Sequence, residues 1–188
     1  MKKIKIVFNA PVTLSFCLLS VVVLFLDNLT NGNTTNSFFC IYNSPLNNIT
    51  TYVRMFGHVL GHTDWSHLVS NLMYILILGP LIEEKYSSKK MLILILVTAF
   101  VTALVKMVFF PNVALLGASG IVFALILLAS FTSTKNREIP ITAIIVAIIY
   151  LGDQIVTGLF TGDNVSQLSH IIGGIIGCIF GYTSRGRG

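Results

Sequence analysis

Apolar residues in this chain gather into long unbroken runs, without the polar alternation that a half-exposed helix or strand of a soluble fold would show. Six runs stand out, at about residues 6–26, 67–82, 91–110, 113–131, 139–160 and 165–182. Each is near the ~20 residues that a helix needs to cross the hydrocarbon of a bilayer. The pattern predicts an all-α membrane protein, a single domain over residues 1–188 with six transmembrane helices. The first run follows Met1-Lys2-Lys3-Ile4-Lys5, a charged start of the signal-peptide kind. It is long, and no small-residue cleavage pattern follows it, so it reads as the first span.

Between the first two runs lies a long loop, from Asp27 to about Trp65. Its opening part, about residues 27–51, is rich in Asn, Thr and Ser and reads as flexible. Asn28-Leu29-Thr30, Asn33-Thr34-Thr35 and Asn48-Ile49-Thr50 fit the glycosylation sequon, which an Asn-rich loop also produces by chance. Residues 52–62 are amphipathic and aromatic, and are expected to lie at the membrane interface rather than in water.

Composition sharpens the class. Of 188 residues, 54% are hydrophobic and 10% charged, and the mean hydropathy is +0.85. Soluble domains carry about 25% charged residues. The net charge of +5 does not mark a nucleic-acid binder, because the basic residues form no stripe and no aromatic platform accompanies them. They mark orientation instead. Lys2, Lys3, Lys5, Lys85, Lys89, Lys90, Lys135, Arg137, Arg185 and Arg187 fall on one side of the six-span layout, and only Arg54 and Lys106 on the other. By the positive-inside rule both termini are cytoplasmic and the long first loop is extracytoplasmic. Cys17, Cys40 and Cys178 have no disulfide or metal spacing and read as two buried hydrophobes and a loop thiol.

Candidate chemistry starts at Gly117-Ala118-Ser119-Gly120, a serine among small residues inside an apolar run. A hydroxyl in hydrocarbon needs a partner. Spans two, four and six run in one direction, so depth can be compared along them. Ser119 and His170 each stand thirteen positions before the inner end of their span, near Thr132 and Thr183. At 1.5 Å per residue, both sit about 20 Å above the inner face. Asn71 at roughly 18 Å and His67 at roughly 24 Å bracket them, and being four apart they share a helical face. Counted from Ser119, span four covers only about two-thirds of a ~30 Å core. Residues 110–117 are therefore expected to dip into the protein as non-helical chain, lining a cavity open to the outside. Gly173, Gly177 and Gly181, four apart, form the small-residue stripe of closely packed helices.

Gly117-Ala118-Ser119-Gly120, His170 followed by Gly173-Gly174, and the run from His62 to Asn71 together resemble the rhomboid family of intramembrane serine proteases. The likeness covers most of the chain from Arg54 onward and implies a rhomboid-like bundle with a Ser–His dyad and no third acid. Ser119 would be the nucleophile and His170 the general base. His67, the Asn71 amide and the Ser119 backbone N–H would hold the oxyanion, with Gly117 in the loop lining that pocket. His62 and Phe123 are read as supporting residues. The resemblance implies no cofactor and no metal. The partners it implies are transmembrane protein substrates in the lipid bilayer, entering past span five and cut near the outer face of the cell membrane at a site open to the extracytoplasmic side.

Departures from the family pattern are Phe123, where many members have tyrosine, Val53 where tryptophan is frequent, and Ser169 in place of alanine. None removes a catalytic group. Bland readings stand beside these. A membrane serine often bonds back to the i−4 carbonyl. His58, His62 and His67 could be metal ligands or loop contacts. Asp153 is an ionisable group inside span five, near its outer end where it reaches water. Lys106 is expected to snorkel outward, and Glu83 and Glu84 to cap the inner end of span two in solvent. Two other functions remain open: a non-catalytic rhomboid relative that binds membrane clients, and a small transporter. The apolar inner halves of spans two, four and six disfavour a transport path.

Overall fold

The structure, a computed structural model, describes residues 4, 7–132, 138–161 and 164–184. Among them the chain forms seven α-helices: α1 Pro11–Leu29, α2 Ile49–Gly57, α3 Trp65–Tyr86, α4 Ser88–Phe109, α5 Ser119–Ala129, α6 Ile141–Thr161 and α7 Asn164–Thr183. No strand forms among the described residues beyond one isolated antiparallel bridge, Ile41 to Leu115. Among the described residues, four helices are long and apolar enough to cross a membrane: Pro11–Leu29, Trp65–Tyr86, Ser88–Phe109 and the Val165–Thr183 part of α7. The apolar helices Ser119–Ala129 and Ile141–Tyr150 are shorter. At 11 residues α5 is about 16 Å long. It starts at Ser119, and the chain from Phe110 to Ala118 runs in as turns and extended backbone.

α5 is the axis of the bundle. Ile121, Leu125, Leu127 and Leu128 are almost fully buried, and α5 packs against α3, α4 and α7. Its tightest partner is α7. A methyl added to Gly173 would fall on the Gly120 carbonyl oxygen, and one on Gly177 would fall on that of Ala124. Gly181 faces the Phe131 ring in the same way. The stripe seen in the sequence is thus a backbone-on-backbone contact, which lets dispersion forces act where lipid gives helices no hydrophobic drive to associate.

The first loop folds onto this bundle. A π-helical turn, Thr35–Phe39, is held by the Asp27 carboxylate, which accepts the Thr35 N–H at 2.7 Å. Asn48 caps α2 through Thr50 N–H at 3.0 Å. The faces of α2 are reversed relative to a soluble helix. Thr51 and Arg54 are buried, whereas Tyr52, Val53 and Phe56 are exposed. The Arg54 guanidinium donates inward to the Ser37 carbonyl at 2.9 Å and lies over the Tyr42 ring. Its apolar face is turned outward, as the interfacial reading requires.

Two expectations about charge are corrected. Glu83 does not face solvent; it is 3% exposed. Its carboxylate accepts Val12 N–H and Thr13 N–H, both at 2.9 Å, and the Thr13 hydroxyl at 2.8 Å. Those are the free donors of the first turn of α1, where Pro11 supplies no N–H and Ala10 no side-chain cap. A carboxylate at a helix N-terminus also meets the positive end of its dipole. Glu84 is exposed, as expected. Lys106 does not snorkel; it is 1% exposed. The first loop and the α4–α5 connector close over the end of α4, so its side chain has no short path to water.

Because Glu83 ties α1 to α3 by charge-assisted bonds in a dry setting, Glu83→Gln is expected to destabilise the protein by about 2–3 kcal/mol. Glu84→Gln, at an exposed position, should stay within about 0.5 kcal/mol. Denaturant unfolding of both variants in detergent micelles measures the difference.

Candidate active site

Ser119 is the first residue of α5, and its N-cap Ala118 provides no side-chain acceptor. The leading N–H groups of a helix have no partner within it, so this end offers amide donors beside the serine. Ser119 is partly buried. The α5–α7 contact brings His170 to it. A Cβ on Gly120 would lie 3.3 Å from the Ser169 carbonyl oxygen, so the residue after Ser119 meets the residue before His170. Ser119 and His170 are thus the chain neighbours of the two residues that meet at the helix crossing. One turn beyond Ser119, Phe123 stacks on the His170 ring, with centroids 4.4 Å apart and planes 8° from parallel. Stacking holds the imidazole plane.

The oxyanion candidates stand across from this pair. Asp64 caps α3, accepting His67 N–H at 2.8 Å, which sets the first turn that carries His67. Gly117 has φ +118°, a conformation glycine adopts freely. Its lack of a side chain is used: a Cβ there would lie 2.9 Å from Cε1 and 3.0 Å from Nε2 of His67. The His67 ring therefore packs directly on the backbone two residues before Ser119. Asn71 is buried, and its amide donates one N–H to the His67 carbonyl at 3.0 Å. An amide nitrogen has a second N–H to give. His62 is edge-on to His67, with centroids 4.9 Å apart, and Nδ1 meets the Leu60 carbonyl at 3.1 Å.

All seven residues singled out in the sequence thus fall into two touching sets. One holds Ser119, His170 and Phe123; the other holds His62, His67, Asn71 and Gly117. The chain from Gly117 to Ser119 joins them. The three loop histidines do not converge: His58 turns to α4, with Nε2 3.3 Å from the Thr102 hydroxyl. Among the described residues no three His, Cys, Asp or Glu side chains gather as metal ligands would. Asp153 is exposed.

Sequence reasoning missed two supports. His58, 1% exposed, accepts Gly117 N–H through its own carbonyl at 2.9 Å, holding the connector in place. Tyr150 of α6 meets Phe123 edge-on at 5.8 Å, backing the ring that stacks on His170. A lone aromatic on an apolar span carries no signal of such a contact.

Residues 50–187 match the family described as the Rhomboid domain. The chain belongs to the rhomboid family. With its apolar helices, it is an integral membrane protein. It is 25% identical over 182 residues to "Rhomboid protease GluP" of Bacillus subtilis, covering 93% of this chain and 34% of that protein. It is 27% identical over 132 residues to "Rhomboid protease GlpG" of Haemophilus influenzae, covering 69% of this chain and 68% of that one. It is 28% identical over 142 residues to mouse "Rhomboid-related protein 2", covering 69% of this chain and 47% of that protein. The chain thus spans about a third of the GluP relative.

Burial gives this rhomboid chain a pH signature. Desolvation pushes His58 from 6.5 down to about 4. Desolvation, then the neighbouring His67 charge, does the same to His62, also to about 4. Both are neutral in the folded state. Below 6.5 the unfolded chain takes up protons that the folded chain refuses until about 4. Stability is therefore complete above that window and falls as pH drops through it. Thermal unfolding in micelles should show the apparent midpoint falling from pH 7 to pH 5, and His58→Gln should flatten the fall.

Proposed function

We propose that this chain is an intramembrane serine endopeptidase that cuts transmembrane substrates near the outer membrane face with a Ser119–His170 dyad. The observation that carries it is the α5–α7 crossing, where Gly120 meets Ser169 and Phe123 stacks on His170. Protease relatives within the family support the activity.

The chemistry follows from the side chains. Neutral His170 takes the Ser119 hydroxyl proton as Oγ attacks the scissile carbonyl, and returns it to the leaving amine. Water then repeats the sequence on the acyl-enzyme. Charge developing on the tetrahedral oxygen is met by the Ser119 N–H at the start of α5, the second Asn71 N–H and His67. For His67 to donate from Nε2, the edge nearest Gly117, that nitrogen must carry a proton. Thr63 controls this. Its hydroxyl donates to Asp64 Oδ2 at 2.8 Å, so toward His67 Nδ1, 3.2 Å away, its oxygen is the acceptor. Nε2 therefore donates only from a ring that is protonated at both nitrogens.

All six apolar helices, α1 and α3 to α7, cross the bilayer in this reading, with both termini cytoplasmic. The connector before α5 makes up the depth that 11 residues lack. Substrate enters past α6, which packs chiefly on α7 and presents exposed Ile144, Ile145, Ile148 and Ile149 to lipid.

A serine-directed fluorophosphonate tests the dyad on purified protein. Wild type should label covalently, and Ser119→Ala and His170→Ala should not. A folded wild type that stays unlabelled sinks the protease and leaves the client-binding relative. Removal of an oxyanion donor by Asn71→Ala should lower kcat by about 10²–10³ with little change in KM. Cleavage of a model transmembrane substrate in proteoliposomes reads both constants.

A further inference from the structure

Among the described residues no carboxylate is paired with Lys106. It is 1% exposed, and among the described residues its Nζ has no hydrogen-bond partner. Around it, Ala103, Met107 and Phe110 of α4 pack with Ile41, Met55, Leu115 and Val165 in an apolar cluster. Cys40 is near enough that the Lys106 charge draws its thiol down, against the larger effect of burial, which raises it. An ionisable side chain kept at membrane depth marks a functional position, and its partner has to be found.

Its place on α4 says where to look. Thr98, Thr102 and Lys106 follow one another by single turns, all buried, on one face of the helix. The methyls of Thr102 and Thr98 lie 3.6 and 3.7 Å from where Gly120 would carry a Cβ. This ladder therefore stands directly behind the Ser119-Gly120 peptide, with the ammonium one turn further out. Thr102 spends its hydroxyl proton on the Thr98 carbonyl at 2.7 Å. Thr98 Oγ1 has no partner, like Lys106 Nζ. What the ladder leaves over is hydrogen-bond donors and a positive charge, since an ammonium has three N–H groups and no acceptor. An anionic acceptor fits it.

Carboxylates elsewhere in the fold are held by other partners. Glu83 holds α1, Asp64 caps α3 and Asp27 holds Thr35. We propose that Lys106 is the specificity residue of a subsite beside Ser119 that takes the carboxylate of an aspartate or glutamate flanking the scissile bond. This rests on the protease reading. The subsite is closed at rest by the α4–α5 connector, which the Ile41–Leu115 pair and the Gly117 N–H to His58 carbonyl bond tie to the first loop. An entering side chain passes between this connector and α4.

The test uses the whole chain in proteoliposomes and a transmembrane substrate carrying Ala, Asn or Asp on either side of the scissile bond. Asp and Asn have nearly one shape, so their ratio in kcat/KM isolates charge. Wild type should favour Asp over Asn by about tenfold at one of the two positions, the value of one charge-assisted hydrogen bond. Lys106→Gln and Lys106→Met should each bring that ratio to one or below. The ratio is internal to each enzyme, so a partly folded variant still reports. Preference for Asn at both positions in wild type, or an Asp preference that survives both substitutions, overturns the subsite. Failure of wild type to cut even the Ala substrate overturns the protease reading instead.

Discussion

Two peptide backbones in contact hold this molecule's chemistry together. Gly173 and Gly177 lie against the carbonyl oxygens of Gly120 and Ala124, backbone on backbone at both points. Lipid tails are as apolar as leucine, so helices in a bilayer gain nothing by hiding hydrocarbon from one another. They gain by fitting. Here the fit also sets a distance, because the nucleophile candidate and the base candidate ride on the two helices in contact. Proton transfer needs heavy atoms about 2.6–3.2 Å apart. A single methyl in the crossing would move the helices by more than that window allows.

The second constraint is that a polar group out of water must find another polar group. The chain meets it by joining distant segments. The Glu83 carboxylate completes the first turn of α1, the Arg54 guanidinium is spent on the Ser37 carbonyl, and the His58 carbonyl takes the Gly117 N–H. Each of these bonds crosses between elements that the apolar pattern alone would leave free to slide. Hydrophobic length decides which segments enter the bilayer, and the buried polar groups decide how they are arranged inside it.

That division explains what could be read in advance. The start of α5 at Ser119 was legible because a span of fixed thickness, counted back from its inner end, runs out of residues there. The shared level of Ser119 and His170 was legible for the same reason, and the glycine stripe named the face of α7 that turns inward. Pairings across the chain were not legible. Glu83 looks like a solvated helix end until Pro11, Val12 and Thr13 are seen above it, and Lys106 looks like a snorkelling residue until Cys40 and Leu115 close over it. Nothing in their local sequence differs from the ordinary case. Tyr150 is silent for a related reason, since its role depends on which ring faces it from another helix.

The reversed helix α2 has a mechanical consequence. Tyr52, Val53 and Phe56 face outward and Arg54 inward, so α2 turns an apolar face away from the bundle. His58, just past its end, holds the backbone of Gly117, which in turn carries the His67 ring and leads into Ser119. A bilayer of another thickness would act on such a face, and through it on the loop that leads into Ser119. Membrane thickness would then be a coordinate of the candidate site, as much as any side chain in it.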